Sequence, residues 1–165
     1  IPAMLYPILK RHNESLAMGF VVFRGALEGM GYLAMAASLL LVVPVSQTYA
    51  QLGDAANLSL GTFLLGFNGV IGSLHTIAFI LGALMFYTVL YRSRLVPRWL
   101  SVWGLIGAVP YLAAGILTMV GIFEVDSTAE VSCYMPLAIQ EMVLAVWLIV
   151  KGFNSEALTA KAQTA

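Results

Sequence analysis

Apolar residues run almost unbroken from Ser15 to Val45, from Leu60 to Tyr91, from Trp99 to Phe123 and from Tyr134 to Phe153. Short polar clusters separate these runs. Each run reaches or exceeds the ~20 residues that a membrane-spanning helix needs. The pattern predicts an all-α, polytopic transmembrane helix bundle with four complete spans. A shorter apolar segment, Ile1 to Leu9, reads as the end of a preceding helix, trimmed or processed upstream. It has neither the basic start nor the small-residue cleavage site of a signal peptide. Lys10 to Glu14 forms the first polar break, and Pro44 with Ser46-Gln47-Thr48 is expected to stop the first span. A loop is then expected to about Ser59, and a second break at Arg92 to Arg98. Pro110 predicts a kink in the third span, and Pro136 fits the first turn of the fourth. The organisation expected is one bundle over 1–153, with N-terminal spans missing, and a polar cytoplasmic tail over 154–165.

Basic residues orient the bundle. If the four spans alternate, Lys10, Arg11, Arg92, Arg94, Arg98, Lys151 and Lys161 share one side. Asp54, Glu124, Asp126 and Glu130 occupy the other. Basic loops stay in the cytoplasm, so the expected location is a prokaryotic inner (plasma) membrane with the C-terminus cytoplasmic. Tyr91, Trp99, Trp103 and Trp147 lie near span ends, as interfacial aromatics do.

Composition agrees with lipid as the solvent. Of 165 residues, 61% are hydrophobic and 10% charged, and mean hydropathy is +0.92. A soluble domain carries about 25% charge. A net charge of zero gives no field for nucleic acid. Cys133 is the single cysteine and reads as a small wall-filling residue. Of two Asn-x-Ser sequons, at Asn13 and Asn57, only Asn57 would face outward.

Ionisable groups inside the spans carry the candidate chemistry. Counting from span ends places Glu28, His75 and Glu141 at similar depth, with Arg24 one turn from Glu28. A charge at the bilayer centre costs about 2.5–3.5 kcal/mol on insertion scales. The four groups are therefore expected to converge inside the bundle. Arg24 stays protonated, so two ionised glutamates leave one net negative charge. A protonated His75, or a proton kept by one glutamate, restores neutrality. Which carboxylate takes Arg24 is not readable. No second histidine lies at compatible depth, so no metal site is assigned, and the cofactor is left unknown. Asn68, Gln140 and Tyr134 are expected to form a second polar layer toward the outer face. Gly25 and Gly29, a GxxxG pair on the first span, suggest close helix approach beside Arg24. Gly66, Gly69 and Gly72 suggest the same on the second span, and Gly104 and Gly107 on the third.

Three segments together resemble a known family: Leu5 to Ala17 (LYPILKRHNESLA), Leu90 to Gly104 (LYRSRLVPRWLSVWG) and Glu141 to Phe153 (EMVLAVWLIVKGF). They look like the prokaryotic membrane family called domain of unknown function 4386. The resemblance implies six-span proteins, making this chain the end of span two plus spans three to six. It implies no transferable activity.

Three functions fit these residues. The first is an accessory or structural subunit of a membrane complex, packed against other membrane chains or as a homo-oligomer. The second is a small proton-linked transporter using the midplane charges. The third is a membrane-embedded enzyme acting on a lipid or quinone-like substrate, with Glu28 or Glu141 as base and Arg24 holding an anionic group. A dry, mutually satisfied cluster fits the first, polar access from one face the second, and a lipid-accessible cavity the third.

Overall fold

The computed structural model describes residues 1–125 and 127–159. Six helical elements follow in order. They are α1 (Pro2–Leu9), α2 (Glu14–Leu52), α3 (Ala55–Ser93), α4 (Arg98–Met119), α5 (Thr128–Val150) and the short α6 (Ser155–Thr159). Helices α2 to α5 are long and apolar enough to cross a membrane. The protein is an all-helical, multi-pass membrane protein. Asp126 and residues 160–165, including Lys161 and half of the expected tail, lie outside the described residues.

Pro44 does not stop the first span. Helix α2 passes through it and continues to Leu52. A membrane helix tolerates proline where neighbouring groups re-satisfy the backbone. The polar residues beyond it fold back onto the helix: Ser46 donates to the Val43 carbonyl at 2.8 Å and Thr48 to the Pro44 carbonyl at 2.9 Å. The expected loop to Ser59 shrinks to Gly53 and Asp54. Gly53, at φ 65°, adopts the left-handed cap and donates to the Tyr49 carbonyl at 2.7 Å. Asp54 caps α3 by accepting from the Asn57 amide at 3.0 Å.

Helices α2 and α3 are thus 39 residues each, about 58 Å, against about 33 and 35 Å for α4 and α5. The third span ends at Met119, earlier than Phe123, where Gly121 takes φ 76°. The fourth begins at Thr128, well before Tyr134, because Ser127 caps it through the Glu130 amide. It ends at Val150, not Phe153.

Helix α3 is the central element, packed between α2 and α4, and α5 packs on α4. Its buried hydrophobic residues run from Ile80 to Leu90. Leu9, Phe20, Leu95, Leu100 and Leu144 join them in one core. That core lies toward the end carrying the basic turns, and fewer residues are buried toward the end carrying Asp54 and Glu124. Helix α1 runs back alongside α2, with Pro2 against Gly25.

Candidate functional site

One segment of α2 departs from α-geometry. Val21–Leu27 is a π-helix, and the Glu28 amide bonds the Phe23 carbonyl five residues back. Such widened turns are frequent at functional sites. This one carries Arg24.

Arg24 reaches across α3 to a helix that α2 does not directly pack against. Its path crosses Gly82, where any Cβ would collide with the Arg24 side chain and lie 3.1 Å from its backbone nitrogen. The guanidinium then rests 3.8 Å above the Phe79 ring, a cation–π contact. Its Nη2 donates to Glu141 Oε1 at 3.1 Å, and its Nε lies 3.3 Å from Glu28 Oε2. Both glutamates therefore share one arginine.

Glu141 is held from its other side. The Tyr87 hydroxyl donates to Gln140 Oε1 at 2.7 Å and, more weakly, lies 3.4 Å from Glu141 Oε1. Gln140 is fully buried and donates to the Leu100 carbonyl at 3.0 Å. It ties α3, α4 and α5 together on the packed side of the cluster. The expected place of Gln140 in an outward layer is therefore corrected.

His75 stands apart. Its ring lies 4.3 Å from Tyr32, and its Nδ1 would be 2.8 Å from a Cβ at Gly31. The Nδ1 atom is buried without a well-formed hydrogen bond, as are Arg24 Nη1 and Glu28 Oε2. Glu28 still dominates its electrostatic surroundings, through carboxylate and backbone carbonyl. The equal-depth expectation is corrected too. The groups form a ladder from Tyr87 and Gln140, through Glu141, Arg24 and Glu28, to His75. Helices of unequal length aligned at one end do not share midpoints. The close approaches are also not where the GxxxG pair suggested: Gly29 has no neighbour within 4 Å, while Gly31 and Gly82 carry the contacts.

Beyond His75, toward the end carrying Asp54 and Glu124, lies a cavity of about 390 Å³. Tyr32, Asn68, His75, Tyr111, Glu130 and Tyr134 contribute to its wall, and no lysine or arginine lines it among the described residues. Asn68 donates to the Met35 carbonyl at 2.9 Å and to Ser38 Oγ at 2.7 Å, pinning α3 to α2. Glu130, expected in an outer loop, is instead buried in the first turn of α5. Its Oε1 accepts from Tyr134 at 2.6 Å and from Thr118 at 2.7 Å. The Ser127-Thr128-Ala129-Glu130 spacing is a capping-box pattern, the signal that places Glu130 on a helix. Tyr134 stacks on Tyr111 with ring centroids 4.0 Å apart, and Tyr111 stacks on Phe79 at 5.2 Å. An aromatic column thus connects Glu130 to the ring beneath Arg24. No sequence signal marks Tyr87 or Phe79, which resemble every other aromatic in an apolar run.

No curated protein and no solved structure matches the chain. A family model described as Domain of unknown function (DUF4386) matches residues 1–152. With nearly the whole bundle covered, from α1 through the end of α5, the chain belongs to that family.

Proposed function

We propose that the protein is a small proton-linked carrier whose polar cavity receives a solute and whose Arg24–Glu28–Glu141 group exchanges a proton. The observation that carries this reading is the cavity of about 390 Å³ that ends on His75, whose buried Nδ1 has no well-formed hydrogen bond. A purely structural cluster is expected to satisfy its own buried polar atoms; here Arg24 Nη1 has no hydrogen bond, and Glu28 Oε2 is held through the 3.3 Å ion pair with Arg24 Nε. Three tyrosines, one carboxylate and, among the described residues, no lysine or arginine on the wall suit a small neutral or cationic solute. Buried core residues separate the cluster from the basic turns, and the cavity of about 390 Å³ lies on the other side of it, the geometry an alternating carrier starts from. By the positive-inside rule the cavity faces outward from a prokaryotic inner membrane and the C-terminus is cytoplasmic.

The test is infrared titration of the protein in lipid. A protonated-carboxyl band should come and go reversibly with pH, and Glu28→Gln or Glu141→Gln should abolish at least half of its amplitude. A cluster that stays fully ionised across mildly acidic to mildly alkaline buffer overturns the proposal. A second reading, an accessory subunit, draws on one observation: the apolar window of α2 is only 6% buried. Another chain covers such a flank as well as lipid does. A stable larger assembly together with a pH-insensitive cluster favours that reading.

A further inference from the structure

A separate site lies at the opposite, basic end. The turn between α3 and α4 and the end of α5 enclose a cavity of about 510 Å³, with Arg94, Arg98 and Lys151 on its wall. The two walls are joined by the Asn154 amide donating to the Leu95 carbonyl at 2.9 Å. A second, almost wholly apolar cavity of about 350 Å³ continues from it along α5, past Val146, Val143 and Met142. Trp147 and Lys151 line both.

Arg94 gives the strongest hint of use. It occupies the left-handed cap of α3 at φ 56°, the sole non-glycine residue with positive φ among the described residues. Glycine fills the equivalent conformation at Gly53 and Gly152, because a Cβ is disfavoured there. A strained non-glycine at such a position points from geometry to function. What the arginine adds is a guanidinium beside Arg98 and Lys151. Arg98 is steadied against the Tyr91 ring at 5.3 Å.

We propose that this end holds one anionic phospholipid. Its phosphate sits among Arg94, Arg98 and Lys151, its glycerol level is at Trp147, and an acyl chain lies along Met142 to Val150. Basic pockets beside membrane helices suit anionic headgroups, and the adjoining apolar groove along Met142, Val143 and Val146 favours a lipid over a free phosphate. This site shares no residue with the cluster of the proposed carrier, so it stands or falls separately.

The full chain in neutral detergent, titrated with phosphatidylglycerol, phosphatidylethanolamine or glycerol phosphate, provides the test by native mass spectrometry and thermal melting. Phosphatidylglycerol should bind and raise the Tm, while the zwitterionic lipid and the headgroup alone bind at least about tenfold more weakly. The R94G/R98Q/K151Q variant should lose on the order of 100-fold in phosphatidylglycerol affinity, at roughly fivefold per basic side chain. Arg94→Gly alone should melt no lower than wild type without lipid, since it relieves the cap, yet bind the lipid more weakly. Equal binding of both lipids, unchanged affinity in the triple variant, or glycerol phosphate binding as tightly as the lipid overturns the proposal. The comparison of lipids on the wild-type chain needs no variant to fold.

Discussion

An Arg24→Gln variant in lipid should lose about 2.5–3.5 kcal/mol of stability, the cost of an unmatched charge at membrane depth. Arg24 is the shared partner of Glu28 and Glu141, and removing it leaves two carboxylates facing each other's field. The side chains of the three residues remain 20%, 17% and 34% exposed, so water or snorkelling lowers the cost toward the bottom of that range. Adding Glu141→Gln to Arg24→Gln should return more than half of the loss, because one carboxylate and its desolvation disappear together. Thermal melting of the single and double variants in the same lipid supplies the cycle. A double variant less stable than Arg24→Gln contradicts the shared-arginine account. It would mean that Glu141 is held chiefly by Tyr87.

Gly82→Val should be nearly as damaging, by about 1–3 kcal/mol from overpacking alone. The new side chain meets Arg24 and lies 3.1 Å from both the Arg24 backbone nitrogen and Phe23 Cβ. Two of these are backbone or near-backbone atoms and cannot swing aside. Helix α2 must therefore move off α3, and the arm reaching Glu141 is lifted with it. Gly29→Ala is the control. Nothing lies within 4 Å of that position, and alanine is the better helix former by ~1 kcal/mol. It should leave stability unchanged or raise it slightly, on the same melting assay. Equal losses at the two glycines would show that the α2–α3 contact is placed wrongly.

The spans were legible because polar breaks are unambiguous in so apolar a chain: Lys10 to Glu14 and Arg92 to Arg98 both fall at helix ends. The convergence of Arg24, Glu28 and Glu141 was also foreseeable, since lipid leaves buried charges few alternatives. Other features depended on packing that no local pattern encodes. Pro44 looks like a stop in any sequence, but a membrane helix tolerates proline, and the hydroxyls of Ser46 and Thr48 turn back onto helix carbonyls. Depth was misjudged because it was counted from presumed midpoints, while the helices are aligned at one end. Gly29 and Gly31 differ only in which face of α2 they occupy, and that face is set by the widened turn before them. Glu130 is different: its Ser-x-x-Glu spacing was readable, and the run of acids around it concealed the helix start.

The widened turn at Val21–Leu27 accommodates a surplus residue without rotating the helix on either side. Deletion of one residue from an ordinary helix swings everything beyond it by about 100° (3.6 residues per turn). Loss of Ala26 here should instead let the turn tighten to regular geometry, with Phe20 on one flank and Tyr32 on the other still facing their present neighbours. What would vanish is the aim of the guanidinium. The feature that points this arginine at a distant helix is, in genetic terms, one codon superimposed on an otherwise complete scaffold.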